Sequence, residues 1–215
     1  GADERRACGH LAEEWGLAWS TVETGELEDD RYRVNDVDRC YWCKTHLMDE
    51  LVPMAGDATV VLGVNVDDLG DHRPGQAAAA ERGARFPLVE AGLAKADVRR
   101  VARAVGLDVW DRPAAPCLSS RLPYGTPVTL GRLSQVERAE RGLRALGLGD
   151  VRVRHHGEVG LVEVPGESVE RAAARRAEVV AVVRDAGFRF VGLDLEGLES
   201  GRLNRDQPVA PTRPA

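Results

Sequence analysis

Between Pro113 and Pro127 the chain carries four prolines and one cysteine, in the run Pro-Ala-Ala-Pro-Cys117-Leu-Ser-Ser-Arg121-Leu-Pro-Tyr-Gly-Thr-Pro. Proline fixes φ and lacks a backbone N–H, so neither a helix nor a strand can run through this stretch. The sequence on either side must therefore find its own packing. Before it, amphipathic helices alternate with strand-like runs. Residues 3–15 present Cys8, Leu11, Ala12 and Trp15 on one helical face, with Cys8 expected in the core. Leu17 to Val22 reads as a short strand, Gly25 to Asp38 as a polar loop, and Cys40 to Ala55 as a second helix. Ala58 to Gly63 (ATVVLG) is a continuous apolar run, as expected of a parallel strand buried on both faces. Residues 74–83 and 93–105 predict two more helices, the latter stopped by Gly106. This alternation predicts an α/β domain with a parallel sheet.

After the proline-rich segment the pattern changes. Leu133, Val136, Ala139, Leu143 and Leu146 mark a helix over 129–146. A hairpin is expected from Val151–Arg154 and Gly160–Val164, then a helix over 167–184 and a strand over 188–193. The expected division is an α/β domain over 1–126, a smaller α+β domain over 127–204 and a frayed tail over 205–215.

Composition narrows the function. The 215 residues carry a net charge of −6, which weighs against a broad nucleic-acid or anionic-membrane footprint. All but two of the 29 basic residues are arginines. No apolar run approaches a membrane span and the N-terminus lacks a signal-peptide core, so a cytoplasmic protein is expected. Its cysteines then read as thiols or metal ligands rather than disulfides.

Three clusters could carry chemistry. Asp67 and Asp68 follow the apolar run directly, where α/β sheets bind ligands. With Asn65 and Arg73 they suit Mg²⁺ and phosphate, or merely a solvated turn. Cys40 and Cys43 open a helix, where thiolates are stabilised; His46 is a candidate third ligand, and so is Cys117. Three thiolates could hold a [4Fe–4S] cluster with one iron open; the plain reading is unrelated thiols. Cys117, with Ser119, Ser120 and Arg121, has the look of a functional loop. Alternation places Arg152 and Arg154 on one face of a strand, as a fork for phosphate or carboxylate, or as an exposed face paired to Glu158 and Glu163.

Together, DRCYWCK (38–44), GVNVDDLGDHRPG (63–75), FPLVEAGLAKADVR (86–99), VWDRPAAPCLSSRLPYGTPVT (109–129), VRVRHHG (151–157) and DLEGLESGRLN (194–204) resemble the LarE family of ATP-dependent sulfur transferases. That family belongs to the PP-loop adenine nucleotide α-hydrolases. The resemblance implies a Rossmann-like, HUP-type parallel sheet followed by a smaller α+β domain. It implies sulfur transfer onto the carboxylates of pyridinium-3,5-biscarboxylic acid mononucleotide, in nickel-pincer nucleotide cofactor biosynthesis. ATP and Mg²⁺ would activate the carboxylate as an acyl-adenylate. It also implies a small-molecule substrate, no nucleic-acid or membrane partner, and a homo-oligomer.

By the same resemblance, Cys117 matches the sulfur-donor cysteine, and Cys40, Cys43 and Cys117 match a three-cysteine set carrying a [4Fe–4S] cluster. Arg152 would face the substrate phosphate; Glu140 and Glu163 match carboxylates of the site, beside Arg121 and Arg154. Glu199 and Leu161 stand where the family commonly has arginine. No Ser-Gly-Gly-x-Asp-Ser loop is present, so the resemblance implies an N-terminally truncated PP-loop domain that neither binds nor hydrolyses ATP appreciably and is unstable alone. The rival expectations are a tRNA-thiolating PP-loop protein and a non-enzymatic cluster-binding remnant.

Overall fold

The computed structural model describes residues 2–70, 73–113 and 115–199, and divides into two units between Ala115 and Pro116. The proline-rich segment from Pro116 onward thus goes with the second unit, whereas the sequence pattern placed it in the first. The tail expected over 205–215 lies outside the described residues.

The first unit is helical: α1 (Ala2–Glu14), α2 (Asp30–Arg33), α3 (Arg39–Ala55), α4 (Pro74–Ala80), α5 (Pro87–Glu90) and α6 (Lys95–Ala104). Its core is small. Met48, Ala79 and Ala84 are buried, with Val60, Leu62 and Phe86 packed against them. Two expected strands are corrected. Leu17 to Val22 forms no strand. The run 58–63 contributes only a parallel bridge from Val61 to Arg85, flanked by Arg85 N–H to Val60 O and Leu62 N–H to Arg85 O, both 3.0 Å. A strand buried on both faces needs neighbours on both edges, and among the described residues Val61 is 57% exposed. Cys8 is also exposed rather than in the core, since of its helical face only Ala12 is buried. The polar loop over 25–38 contains the short helix α2, whose N-cap Asp29 accepts from the Arg31 N–H at 2.9 Å.

The second unit holds α7 (Leu130–Ala145), α8 (Val169–Ala174) and α9 (Arg176–Asp185), with strands β1 (Arg152–His156), β2 (Val159–Glu163) and β3 (Phe190–Leu193). Thr129 caps α7 through its hydroxyl, which accepts from Arg132 N–H at 3.3 Å. β1 and β2 form the expected antiparallel hairpin, and β2 pairs parallel to β3 across α8 and α9. The strand order β1-β2-β3 makes this a mixed α/β sheet with β1 at an edge. The single helix expected over 167–184 breaks at Arg175, whose φ of −97° and ψ of 25° leave the helical region. The core joins α7 (Val136, Ala139, Leu143) to Val153, Val162, Val183 and Phe188. Close approach of α7 and α9 depends on Gly142, where a Cβ would lie 2.6 Å from Val182 Cγ1.

No helix among the described residues is long and apolar enough to cross a membrane.

Candidate functional site

Alternation along β1 sends Val153 toward the helices and puts Arg152 and Arg154 on the opposite face. Both arginines are buried, which overturns the exposed-strand alternative. Arg154 donates through Nε to Glu163 at 2.9 Å and through Nη1 to the Ser120 carbonyl at 2.7 Å. Glu158 instead meets Arg189, at 3.3 Å. Arg152 lies directly across from Glu163 in the β1–β2 register. Among the described residues its guanidinium makes no hydrogen bond or ion pair. Burial, then the nearby charges of Arg121 and Arg154, lower its pKa below the ordinary guanidinium value. Glu163 Oε2 is likewise buried without a partner among the described residues. A desolvated cation and a free carboxylate oxygen therefore share one sheet face, a pairing that suits a ligand with both an anion and a hydrogen-bond donor.

Glu140 sits on the buried stripe of α7, four residues after Val136. It accepts from Arg121 at 2.7 and 3.1 Å, from Arg144 at 2.7 Å and from the Val153 N–H at 3.1 Å. The last contact occupies a donor on the open edge of β1. Arg121 belongs to the turn Leu118–Arg121 that follows Cys117. Its Nη1 donates to Pro116 O at 2.9 Å and to Ser120 Oγ at 3.0 Å, while the Ser120 hydroxyl donates to Cys117 O at 2.7 Å. The Cys117 side chain itself is exposed. The structure thus brings Cys117, Arg121, Glu140, Arg152, Arg154 and Glu163 into one unit.

Arg144 and the Ser120 carbonyl belong to this network and were missed from sequence. The available signal was Glu140 itself, a carboxylate within an otherwise apolar helical stripe. His155, which the sequence groups with Arg152, Arg154 and His156 in a basic cluster, lies in the core. It is buried against Phe188 with ring centroids 5.2 Å apart, Nε2 lies 3.2 Å from Gln135 Oε1, and burial lowers its pKa.

In the first unit, Asn65, Asp67, Asp68 and Arg73 also gather. Asp68 pairs with Arg73 at 3.0 Å and accepts from the Asn65 N–H at 3.1 Å. Asp67 accepts from the Lys95 N–H at 2.9 Å, and its own N–H donates to the Asn65 side chain at 3.0 Å. Asp67 remains exposed.

Cys40 and Cys43 lie on the first turns of α3, Cys40 exposed and Cys43 half-buried. The intervening aromatics are tied down: Tyr41 donates to Glu81 at 2.5 Å, and the Arg31 guanidinium lies 3.8 Å from the Trp42 ring centroid. Helix α4 approaches Cys40 closely because Gly75 has no side chain; a Cβ there would lie 2.9 Å from Cys40 O. His46 does not join these thiols. Its Nε2 is 2.9 Å from Asp29, whose carboxyl the hydrogen-bonded Arg31 guanidinium holds well below the usual carboxylate range. Among the described residues of either unit, no group of three His, Cys, Asp or Glu stands together.

No family model matches the chain. An uncharacterized protein of Synechocystis sp. is 45% identical over 195 residues, covering 88% of this chain and 73% of the relative. An uncharacterized protein of Methanocaldococcus jannaschii is 26% identical over 173 residues, covering 79% and 68%. The pyridinium-3,5-bisthiocarboxylic acid mononucleotide synthase of Lactiplantibacillus plantarum is 39% identical over 197 residues, covering 90% of this chain and 71% of the synthase. With that identity over that much of both chains, this protein belongs to the pyridinium-3,5-bisthiocarboxylic acid mononucleotide synthase (LarE) family.

Proposed function

We propose that this protein transfers sulfur onto the carboxylates of pyridinium-3,5-biscarboxylic acid mononucleotide. The observation that carries the proposal is Arg152, a buried guanidinium with no hydrogen-bonded counter-ion among the described residues, in the unit that also displays the exposed thiol of Cys117. A mononucleotide phosphate supplies the missing anion, and a charge-assisted pair is strongest where both groups leave water. A ribose hydroxyl supplies the donor that Glu163 Oε2 lacks.

A carboxylate is a poor electrophile, so the reaction needs an activated acyl group. One substrate carboxylate oxygen attacks the α-phosphorus of ATP and pyrophosphate leaves. A sulfur nucleophile then adds to the acyl carbon, and the C–O bond breaks with AMP as leaving group. The family membership, with the parallel bridge from Val61 to Arg85 and the acidic turn that follows, supports assigning the first unit to the PP-loop fold. Asp67, with an exposed carboxylate, fits a Mg²⁺ ligand, and Arg73 a phosphate contact, with Asn65 and Asp68 shaping the turn.

The thiols fit the donor chemistry of a [4Fe–4S] cluster, with Cys40, Cys43 and Cys117 as its ligands. When bound, the cluster would supply an iron open to sulfide. The chain's own contribution is to present these thiols on a helix start and on a tethered loop. We further propose that the protein works as a homo-oligomer, which light scattering would test.

The test of the function is anaerobic incubation of iron- and sulfide-reconstituted protein, joined to a segment that carries a Ser-Gly-Gly-x-Asp-Ser phosphate loop, with the mononucleotide, ATP and Mg²⁺, read by mass spectrometry. Carboxylate oxygen replaced by sulfur, lost in Cys117→Ser, is expected. Substrate binding without any thiocarboxylate, under conditions where the cluster is intact, would overturn the proposal.

A further inference from the structure

We infer that Arg121 and Glu140 are positioning residues: a mutually bonded, buried pair that fixes the backbone of the Cys117 loop and makes no contact with ligand. The inference rests on the reading of Cys117 as the residue that handles sulfur. It gives Arg121 and Arg154 tasks distinct from the phosphate contact that the family resemblance implies for Arg152.

Saturation is the first argument. Glu140 is 1% exposed and receives four donors, from Arg121 Nε and Nη2, Arg144 Nη2 and the Val153 N–H. Two carboxylate oxygens offer about four lone-pair sites, so none is left over. Arg121 is 4% exposed and spends its remaining Nη1 on Pro116 O at 2.9 Å, Ser120 Oγ at 3.0 Å and Cys117 O at 3.4 Å. A ligand could reach Glu140 without breaking the buried pair only by displacing Arg144, whose side chain is 47% exposed; taking Glu140 from Arg121 would strand a buried charge.

The second argument is where the bonds go. Arg121 grips the loop at both ends, at Pro116 and Ser120. Arg154, fixed by Glu163, grips the Ser120 carbonyl from the β1 side at 2.7 Å. Two buried ion pairs thus converge on six residues of backbone, while the Cys117 side chain stays exposed. A held backbone under an open side chain is what a reacting sulfur requires, because misplacement by an ångström costs rate. Among the described residues the Arg152 guanidinium, unlike those of Arg121 and Arg154, makes no hydrogen bond.

Amide hydrogen exchange with ligand titration separates the roles. In Glu140→Gln and Arg121→Lys, the Ser120 and Leu122 amides, bonded to Cys117 O and Ser119 O, should lose about tenfold or more of their protection. Amides of β2 and α9 should keep theirs, and affinity for the mononucleotide should stay within about twofold, with kcat falling and KM unchanged. Arg152→Lys should do the reverse, losing about tenfold in affinity with loop protection intact. If Glu140→Gln does not fold, Ser120→Ala, which removes one tether, reads the same amides. Protection falling evenly through the unit would make the pair merely structural and overturn the inference. So would lost affinity in Arg121→Lys at unchanged loop protection. The exchange result stands whether or not Cys117 proves to transfer sulfur; product formed by Cys117→Ser would sink the functional reading alone.

Discussion

The Arg152 guanidinium has no hydrogen-bonded counter-ion among the described residues; burial and the charges of Arg121 and Arg154 disfavour it, and Asp150 and Glu163 offset this only in part. Such a charge is kept for a ligand at the expense of stability. Replacing it with methionine, close in length and without charge, should raise the stability of the second unit by about 0.5–2 kcal/mol in urea titrations. The same change should weaken mononucleotide binding by about 1.5–3 kcal/mol in calorimetry, the worth of a hydrogen bond to a charged group. Stability and affinity moving together would refute the ligand role. His155 behaves oppositely. Burial lowers its pKa in the folded protein, so the unfolded chain binds the proton more tightly. Stability should be at its plateau above the ordinary histidine value of about 6.5 and fall as pH drops from there toward the depressed folded value. A His155→Leu variant should flatten that dependence. An unchanged slope in the variant would assign it to other groups.

At the scale of elements, β1 is the vulnerable piece. It is an edge strand, and its outward Val153 N–H is covered by a side chain, Glu140, rather than by another strand. The α7–α9 contact backing the sheet has no slack at Gly142. Gly142→Ala would gain helix propensity but drive a methyl into Val182, and should cost about 1–3 kcal/mol. Adding Val182→Ala should recover part of that loss; a Gly142→Ala protein of unchanged or higher stability would mean that the helices separate freely. Most of these elements were legible in the sequence. The 3.6-residue stripe of α7, the alternation in β1 and β2 and the crossover to β3 all appear where the pattern places them. The break at Arg175 was not legible, because its cause is tertiary: the Arg175 side chain turns to the Leu146 carbonyl at the end of α7 and to Glu178.

For the whole molecule, burial is uneven. The core of the second unit joins thirteen buried residues, from Val136 to Phe188, whereas that of the first unites Met48, Ala79 and Ala84. Hydrogen exchange should therefore show its slowest amides in α7, β2 and α9, with α3 and α4 exchanging faster by sub-global opening. Equal protection in both units would contradict this. By itself the sequence determined the longer helices and the hairpin, because 3.6- and 2-residue periodicities are local properties, while the short helices α2 and α5 were not legible. It also picked out the thiols and arginines, which only their chemistry and a family resemblance made notable. Tertiary structure decided which charges are spent. The family resemblance singled out Arg152, but burial and hydrogen-bond partners are what show that Arg121 and Arg154 are tethers. The apolar run 58–63 shows the same limit. Its composition suits a buried strand, but a strand needs neighbours for its backbone, and these are supplied by residues distant in the chain.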